Sequence, residues 1–268
     1  MAGDRLPSDR LDRRGLLKAL AAVGGLAVSG CDRLSNEPRF RSVLDAANNL
    51  TYRVQRLLIG ADRLAPEYGE ADISPAFRAN GSTDPQDEKY LDLVGNHFAD
   101  WRLKVHGLVE HELSLSLEAL RALPARTQIT RHDCVEGWSC IGKWTGVPLA
   151  AIRSRAGVRP EARFVVFHCA DTLDDGGAFG VDPESIRYYE SIDLIDAAHP
   201  QTILAYDMNG KPLTVPYGAP LRLRLERQLG YKMAKYIMRI ELVRSLADLH
   251  GGRGGYWEDR GYEWYAGI

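Results

Sequence analysis

The chain has 268 residues, of which 34 are Lys or Arg and 36 are Asp or Glu, and 45% are apolar. That much apolar material excludes a disordered chain, and a formal net charge of −2 gives no global attraction to nucleic acid or an anionic membrane. Four cysteines (Cys31, Cys134, Cys140, Cys169) are too few for a disulfide scaffold and show no CxxC or CxxCH spacing, which removes support for a zinc ribbon, a thioredoxin-type site and covalent haem.

The N-terminus reads as an address. A basic stretch, Arg10 to Lys18, precedes a small and apolar run, Ala19 to Val28. The run is shorter than the roughly 20 residues a bilayer span needs, and it suits a signal h-region. Asp12-Arg13-Arg14-Gly15-Leu16-Leu17-Lys18 has a twin-arginine arrangement. The run ends Val28-Ser29-Gly30-Cys31, which resembles a bacterial lipobox with Cys31 as the lipid anchor; an ordinary cleavage site is the alternative. Residues 1–30 are expected to be removed, which leaves a body of net charge −4 held by acyl chains and not by charge. The expected location is the periplasmic side of the inner membrane. The twin-arginine route carries folded proteins, often with a cofactor already inserted.

Residues 31–65 are expected to be a tether followed by a helix over 45–59, where Leu50, Val54, Leu57 and Leu58 have helical spacing. Residues 66–85 are rich in turn signals. Alternation predicts a strand over 101–109, then a short helix over 114–123 with Ser116 as N-cap and Pro124 as stop. Strands are predicted over 127–134, 163–169, 202–208, 221–225 and 236–243. The 202–208 strand turns at Asn209-Gly210 into a short hairpin arm over 212–215. Helices are predicted over 147–156, with Pro148 in the first turn, and over 191–197. Short strands interleaved with short helices, with no linker between 70 and 245, predict a compact α+β domain over 66–246. The tail over 247–268 holds five aromatic residues in a Gly-rich, polar context. It is expected to wrap the body as an arm; a partner-binding strip is the alternative.

The densest chemistry lies in Thr130-Arg-His-Asp-Cys-Val-Glu-Gly-Trp-Ser-Cys-Ile-Gly-Lys-Trp-Thr-Gly-Val-Pro-Leu149. A strand delivers Cys134 to a turn carrying Glu136, Gly137 and Trp138. Arg131, His132 and Lys143 flank Cys134, and positive surroundings favour a thiolate, which is a nucleophile or a soft metal ligand. A buried structural cysteine is the alternative. Glu136, two residues on, suits proton shuttling or the capping of a turn. His132 reads best as a satisfied strand histidine, and Trp138 and Trp144 as core or pocket wall. By spacing alone Arg222 is a solvent-facing strand residue, and Lys232 and Lys235 are one turn of a solvated face.

Two segments then resemble one family. Cys134-Val-Glu-Gly-Trp-Ser139 with Trp144-Thr-Gly-Val-Pro-Leu149, and Gly218-Ala-Pro-Leu-Arg-Leu223 with Gly230-Tyr-Lys-Met-Ala-Lys-Tyr-Ile237, resemble the sulfite oxidase family of molybdopterin enzymes. Within it they are most like the branch of periplasmic methionine sulfoxide reductase catalytic subunits. The resemblance covers about residues 70–245. It implies a mixed β-sheet molybdopterin-binding domain and a molybdenum–molybdopterin cofactor with Cys134 as the protein ligand to the metal. It also implies cofactor contacts from Arg131, Arg222 and Lys235, with Met233 and Ala234 contributing backbone groups. Tyr217 and Cys169 stand where relatives carry a different polar residue and Thr. Arg78 and Asn80, in Phe77-Arg-Ala-Asn-Gly81, resemble a loop that covers the pterin, with spacing off by one residue.

The expected activity is oxo transfer to or from a small sulfur- or nitrogen-containing substrate, with reduction of S- or N-oxides favoured. Sulfite oxidation is the alternative, and it needs clustered arginines from the pool Arg126, Arg131, Arg222, Arg224 and Arg227. A non-catalytic molybdopterin-binding or electron-transfer module is the second alternative. Because no haem motif is present, electrons are expected from a membrane cytochrome or quinone-linked partner, and the chain is expected to be a monomer or part of a hetero-complex.

Overall fold

The structure, a computed structural model, describes residues 37–173 and 187–268. The twin-arginine stretch and Cys31 lie outside the described residues. The chain divides into two compact units at Leu57/Leu58. The first unit contains most of α1 (Pro38–Ile59). The helix therefore begins seven residues before Asp45, inside the segment expected to be a tether. Pro38 fits the first helical position, where its missing N–H goes unused, and no Gly or Pro interrupts residues 39–59.

The second unit is built on two five-stranded sheets. One has the order β2 (Leu113–Ser116), β1 (Arg102–Gly107), β10 (Ile237–Val243), β5 (Phe164–Thr172), β6 (Arg187–Asp193). Only its β1–β10 pairing is parallel, with Val105 opposite Ile240. The other runs β3 (Arg126–Asp133), β4 (Ser139–Pro148), β7 (Ile203–Met208), β8 (Lys211–Pro212), with β9 (Arg222–Arg224) also paired to β7. All its pairs are antiparallel. Four short helices join the strands: α2 (Glu88–Gly95), α3 (Leu117–Arg121), α4 (Leu149–Ala156) and α5 (Leu194–Ala198). The main core takes Leu103 and Val105 from β1, Ile240 and Leu242 from β10, and Leu204 and Leu223 from the second sheet. Each such buried side chain contributes about 1.5–3 kcal/mol.

Most predicted strands and helices form within a few residues of expectation, and Ser116 caps α3 by accepting a hydrogen bond from Ala119 N at 3.0 Å. Three corrections stand out. Residues 113–116 are strand β2, so the helix expected from 114 starts at 117. β4 is a ten-residue strand flanked by β3 and β7, and the helix expected from 147 starts at 149. Residues 187–193 form β6, and Asp193 caps α5, so the helix expected from 191 starts at 194. β4 and β6 escape pattern reading for different reasons. β6 is buried along nearly its whole length and shows no polar face. β4 does alternate in burial, but Gly142 and Gly146 occupy covered positions and give no apolar signal.

The tail folds back onto the body. Gly255 bridges to Glu190 and Gly267 to Gln228, while Tyr256 and Glu258 are buried. Glu258 accepts from Lys232 Nζ at 2.5 Å, and Lys232 also donates to Glu190. Lys232 and Lys235 are thus buried and not a solvated face.

Candidate functional site

The β3–β4 turn presents Cys134. Cys134 N donates to Trp138 O at 2.9 Å, and Gly137 N donates to Cys134 O at 3.0 Å. Gly137 takes a φ of +83°, the left-handed step that lets the turn close. Cys134 and Glu136 line a cavity of about 170 Å³ whose other walls include Asn80, Met233, Lys235 and Asp171. The flanking cations do not activate the thiol as expected. Arg131 pairs with Asp133 at 2.9 Å, Lys143 pairs with Glu70 at 2.5 Å, and His132 is fully buried. Burial instead pushes the Cys134 thiol up, with Arg78 opposing in part. Without a metal Cys134 is therefore a thiol, and a bound metal would have to displace its proton.

Glu136 is exposed. It accepts from Trp138 Nε1 at 2.9 Å and faces Arg78 at 3.6 Å, while the Arg78 guanidinium lies 5.2 Å from the Trp138 ring. Lys235 Nζ donates to the carbonyls of Asn80 (2.7 Å), Pro216 (3.3 Å) and Ser82, so it clamps the Asn80–Ser82 loop against the cavity. Burial and the neighbouring Arg222 push Lys235 down to about 7. Asp171, which sequence reasoning missed, is buried beside it and is pushed up to about 7 by burial. Its Oδ1 has no hydrogen-bond partner. Only its place at the end of β5 marks it in the sequence.

Behind the cavity lies a buried cationic layer. Trp144 carries the Arg222 guanidinium at 4.8 Å and that of Arg224 at 4.3 Å. Arg224 pairs with Glu226 at 2.7 Å, with both side chains fully buried. It also donates to His132 Nδ1 at 3.2 Å. An arginine cannot accept, so Nδ1 is the acceptor and the neutral imidazole carries its proton on Nε2. Burial, then Arg224, holds the His132 pKa well below its ordinary range. His132 Nε2 has no partner and is packed against Gly230, where an added Cβ would lie 2.4 Å from it. Among the described residues Arg222 has no carboxylate partner: its NH1 donates to Tyr217 O at 3.0 Å, and its Nε is buried without a bond. Burial and Arg224 push Arg222 down to about 9.

The remaining predicted positions fall elsewhere. Arg131 lines a separate cavity with Arg63, Glu226 and Arg227, away from Cys134; its strand position turns it to the opposite side of the hairpin. Cys169 is core, and burial raises its thiol well above the ordinary range. Tyr217 donates its hydroxyl to Phe77 O at 2.8 Å. The backbone of Ala234 is occupied in the fold, where its carbonyl accepts from Leu223 N at 2.8 Å.

Residues 92–249 match the oxidoreductase molybdopterin binding domain family, and the chain belongs to it. It is a molybdopterin oxidoreductase with the mixed α+β fold of the sulfite oxidase type, and its cofactor is molybdenum–molybdopterin. It is 37% identical over 256 residues to the "Putative protein-methionine-sulfoxide reductase subunit YedZ1" of Azospira oryzae, covering 95% of this chain and 87% of that one. It is 34% identical over 247 residues to the protein-methionine-sulfoxide reductase catalytic subunit MsrP of Xanthomonas campestris pv. campestris, covering 88% and 71% respectively. The MsrP of Campylobacter jejuni is 34% identical over 152 residues, covering 54% of this chain and 50% of that one.

The residues present fit such a cofactor. A half-buried sulfur is a soft donor for molybdenum. Arg222 is a buried cation with no ion-paired carboxylate among the described residues, and Lys235 lines the cavity beside Asp171; a cationic side of this kind suits a phosphate-bearing ligand.

Proposed function

We propose that this chain reduces S-oxides, methionine sulfoxide among them, with Cys134 as the protein ligand to molybdenum. The bound molybdenum–pterin supplies two-electron oxo transfer. The net reaction takes two electrons and two protons, gives the thioether and releases water. Arg222 and Lys235 seat the anionic end of the cofactor, with Met233 on the cavity wall beside them. The Arg78–Asn80 loop covers it, and Tyr217 fixes Arg222 through its carbonyl. Glu136 passes protons between solvent and the cavity, since its carboxylate is exposed and also lines the wall.

The observation that carries this reading is the cysteine at the rim of a cavity lined by Lys235 and backed by Arg222, a buried guanidinium with no carboxylate partner among the described residues. The names of the Azospira oryzae and Xanthomonas campestris relatives support the S-oxide substrate. Sulfite oxidation is less well supported. None of the five arginines expected near the motifs lines the Cys134 cavity. Arg126, Arg131, Arg224 and Arg227 each pair with a carboxylate, and Arg222 lies on Trp144.

The same reading extends to location and partner. The twin-arginine arrangement supports export to the periplasmic side, and the Val28–Cys31 sequence supports a lipid anchor at Cys31. The relatives are named as subunits, which supports a membrane cytochrome or quinone-linked partner as electron donor. The test is molybdenum and pterin analysis of exported protein, with turnover of S-oxides, N-oxides and sulfite. Cys134→Ser is expected to abolish turnover and to leave the thermal midpoint of the cofactor-free chain within a few degrees. Retained turnover would overturn the ligand assignment.

A further inference from the structure

We propose that Trp257 and Tyr262, from the C-terminal tail, form the substrate wall of the Cys134 cavity and set its preference for a thioether S-oxide over a small oxyanion. The assignment rests on the S-oxide reading above and names the residues that give it specificity.

The cavity has two unlike kinds of lining. Lys235, Asp171 and Glu136 are charged or polar, whereas Tyr188, Tyr231, Trp257 and Tyr262 contribute aromatic surface. The Trp257 and Tyr262 rings stack at 5.2 Å and 28°. Tyr231 meets Tyr262 edge-on at 5.2 Å and 90°, and Tyr256 meets Trp257 at 5.3 Å and 86°. Tyr262 is nonetheless 40% exposed, so a large ring is held in place at the rim with much of its surface free.

The tail that carries these rings is fixed. Glu258, next to Trp257, is buried against Lys232. Asp259 accepts from Tyr189 Oη at 2.5 Å and from the backbone N–H groups of Gly251 and Arg253, each at 3.0 Å. Tyr262 N donates to Trp257 O at 3.0 Å and closes the turn between the two rings. A wall fixed this way loses little entropy when a ligand binds.

The chemistry of the wall selects by charge and polarity. An aromatic face carries partial negative charge, which repels a small dianion and accepts the apolar flanks and polarizable sulfur of a thioether S-oxide. Without the wall, the sulfur-bearing chain would face water.

The experiment uses exported holoenzyme with Trp257→Ala, Tyr262→Ala, the double variant, and Trp257→Phe and Tyr262→Phe. The probes are N-acetylmethionine sulfoxide amide and sulfite. Readouts are molybdenum and pterin content, kcat and KM, and quenching of tryptophan fluorescence by the S-oxide. Each Ala variant is expected to raise KM for the S-oxide about tenfold, to keep kcat within about twofold and to keep full cofactor content. The Phe variants are expected to recover most of the loss, and Trp257→Phe to lose the quench. An unchanged KM in the double variant would overturn the wall, and so would loss of molybdenum or pterin from the Ala variants, which would make the rings part of the cofactor seat. If the wild type holds molybdenum but turns over no S-oxide, the reaction assignment fails separately. The titration still decides: a quench lost in Trp257→Phe supports the wall, and no quench in the wild type overturns it.

Discussion

Lys232 sits between two carboxylates with nothing else to balance them. Its Nζ donates to Glu258 at 2.5 Å and to Glu190, and all three side chains are buried. One cation and two carboxylates leave an excess negative charge if all are ionised, and burial together with Glu258 holds the Glu190 pKa well above its ordinary range. Glu190 therefore keeps its proton, and Lys232 with Glu258 forms the charged pair. Glu190→Gln replaces a neutral acid with a neutral amide and should cost about 1 kcal/mol. Glu258→Gln should also cost little, about 1–2 kcal/mol, because Glu190 can release its proton and take over as counter-ion. The double variant leaves a buried ammonium with no counter-ion and should cost about 3–5 kcal/mol. At about 2–4 °C per kcal/mol for a chain of this size, the single variants lower the melting temperature by a few degrees and the double variant by roughly 6–20 °C. Thermal unfolding of the cofactor-free protein, followed by near-UV circular dichroism, measures all three. A double variant whose loss equals the sum of the two single losses would refute the shared-charge account.

Other variants test the rest of the site. Arg224→Met strands the fully buried Glu226 and should cost about 3–5 kcal/mol, seen as a lower urea midpoint. Arg222→Met removes a buried cation without a carboxylate partner, so it should leave the cofactor-free chain as stable or more stable while lowering its pterin content; equal losses from the two arginine variants would contradict the distinction. Gly230→Ala drives a methyl group to 2.4 Å from the His132 ring and should cost about 1–3 kcal/mol by the same urea assay. Asp171 has a folded-state pKa of about 7, above its ordinary 3.8. Its contribution to stability is therefore full below about pH 4 and is lost as pH rises to about 7, by up to about 4 kcal/mol. Unfolding of Asp171→Asn across pH 4–7 should lack this fall, and a parallel fall in the variant would exclude Asp171 as its source.

Local chemistry made several features legible before any fold was known. Alternating residues marked β1 and β3, the Asn209-Gly210 turn marked the end of β7, and Ser116 marked a helix start, because solvent on one face, a turn dipeptide and a side-chain oxygen at a helix end leave local signatures. The Cys134–Ser139 turn was legible because its chemistry is contiguous in the chain. β6 was not, since a strand covered on both faces loses its period, and β4 was not, since glycines at its covered positions hide the apolar face. Nor were the surroundings of Cys134. Arg131 and Lys143 are its neighbours in sequence, but Arg131 pairs with Asp133 on its own strand and Lys143 with the distant Glu70, and burial governs the thiol.

What the amino-acid order alone determined is the α+β class, the cysteine-bearing turn, the family and hence the cofactor. Tertiary structure alone decided which charges are paired and which are stranded. Arg222 and Arg224 are two residues apart and share Trp144, yet Arg224 has a buried carboxylate and Arg222 has none among the described residues. It also decided that the tail, about 120 residues beyond Cys134, lines the same cavity. Burial and pairing depend on what the rest of the chain brings alongside a residue, and no local pattern carries that information.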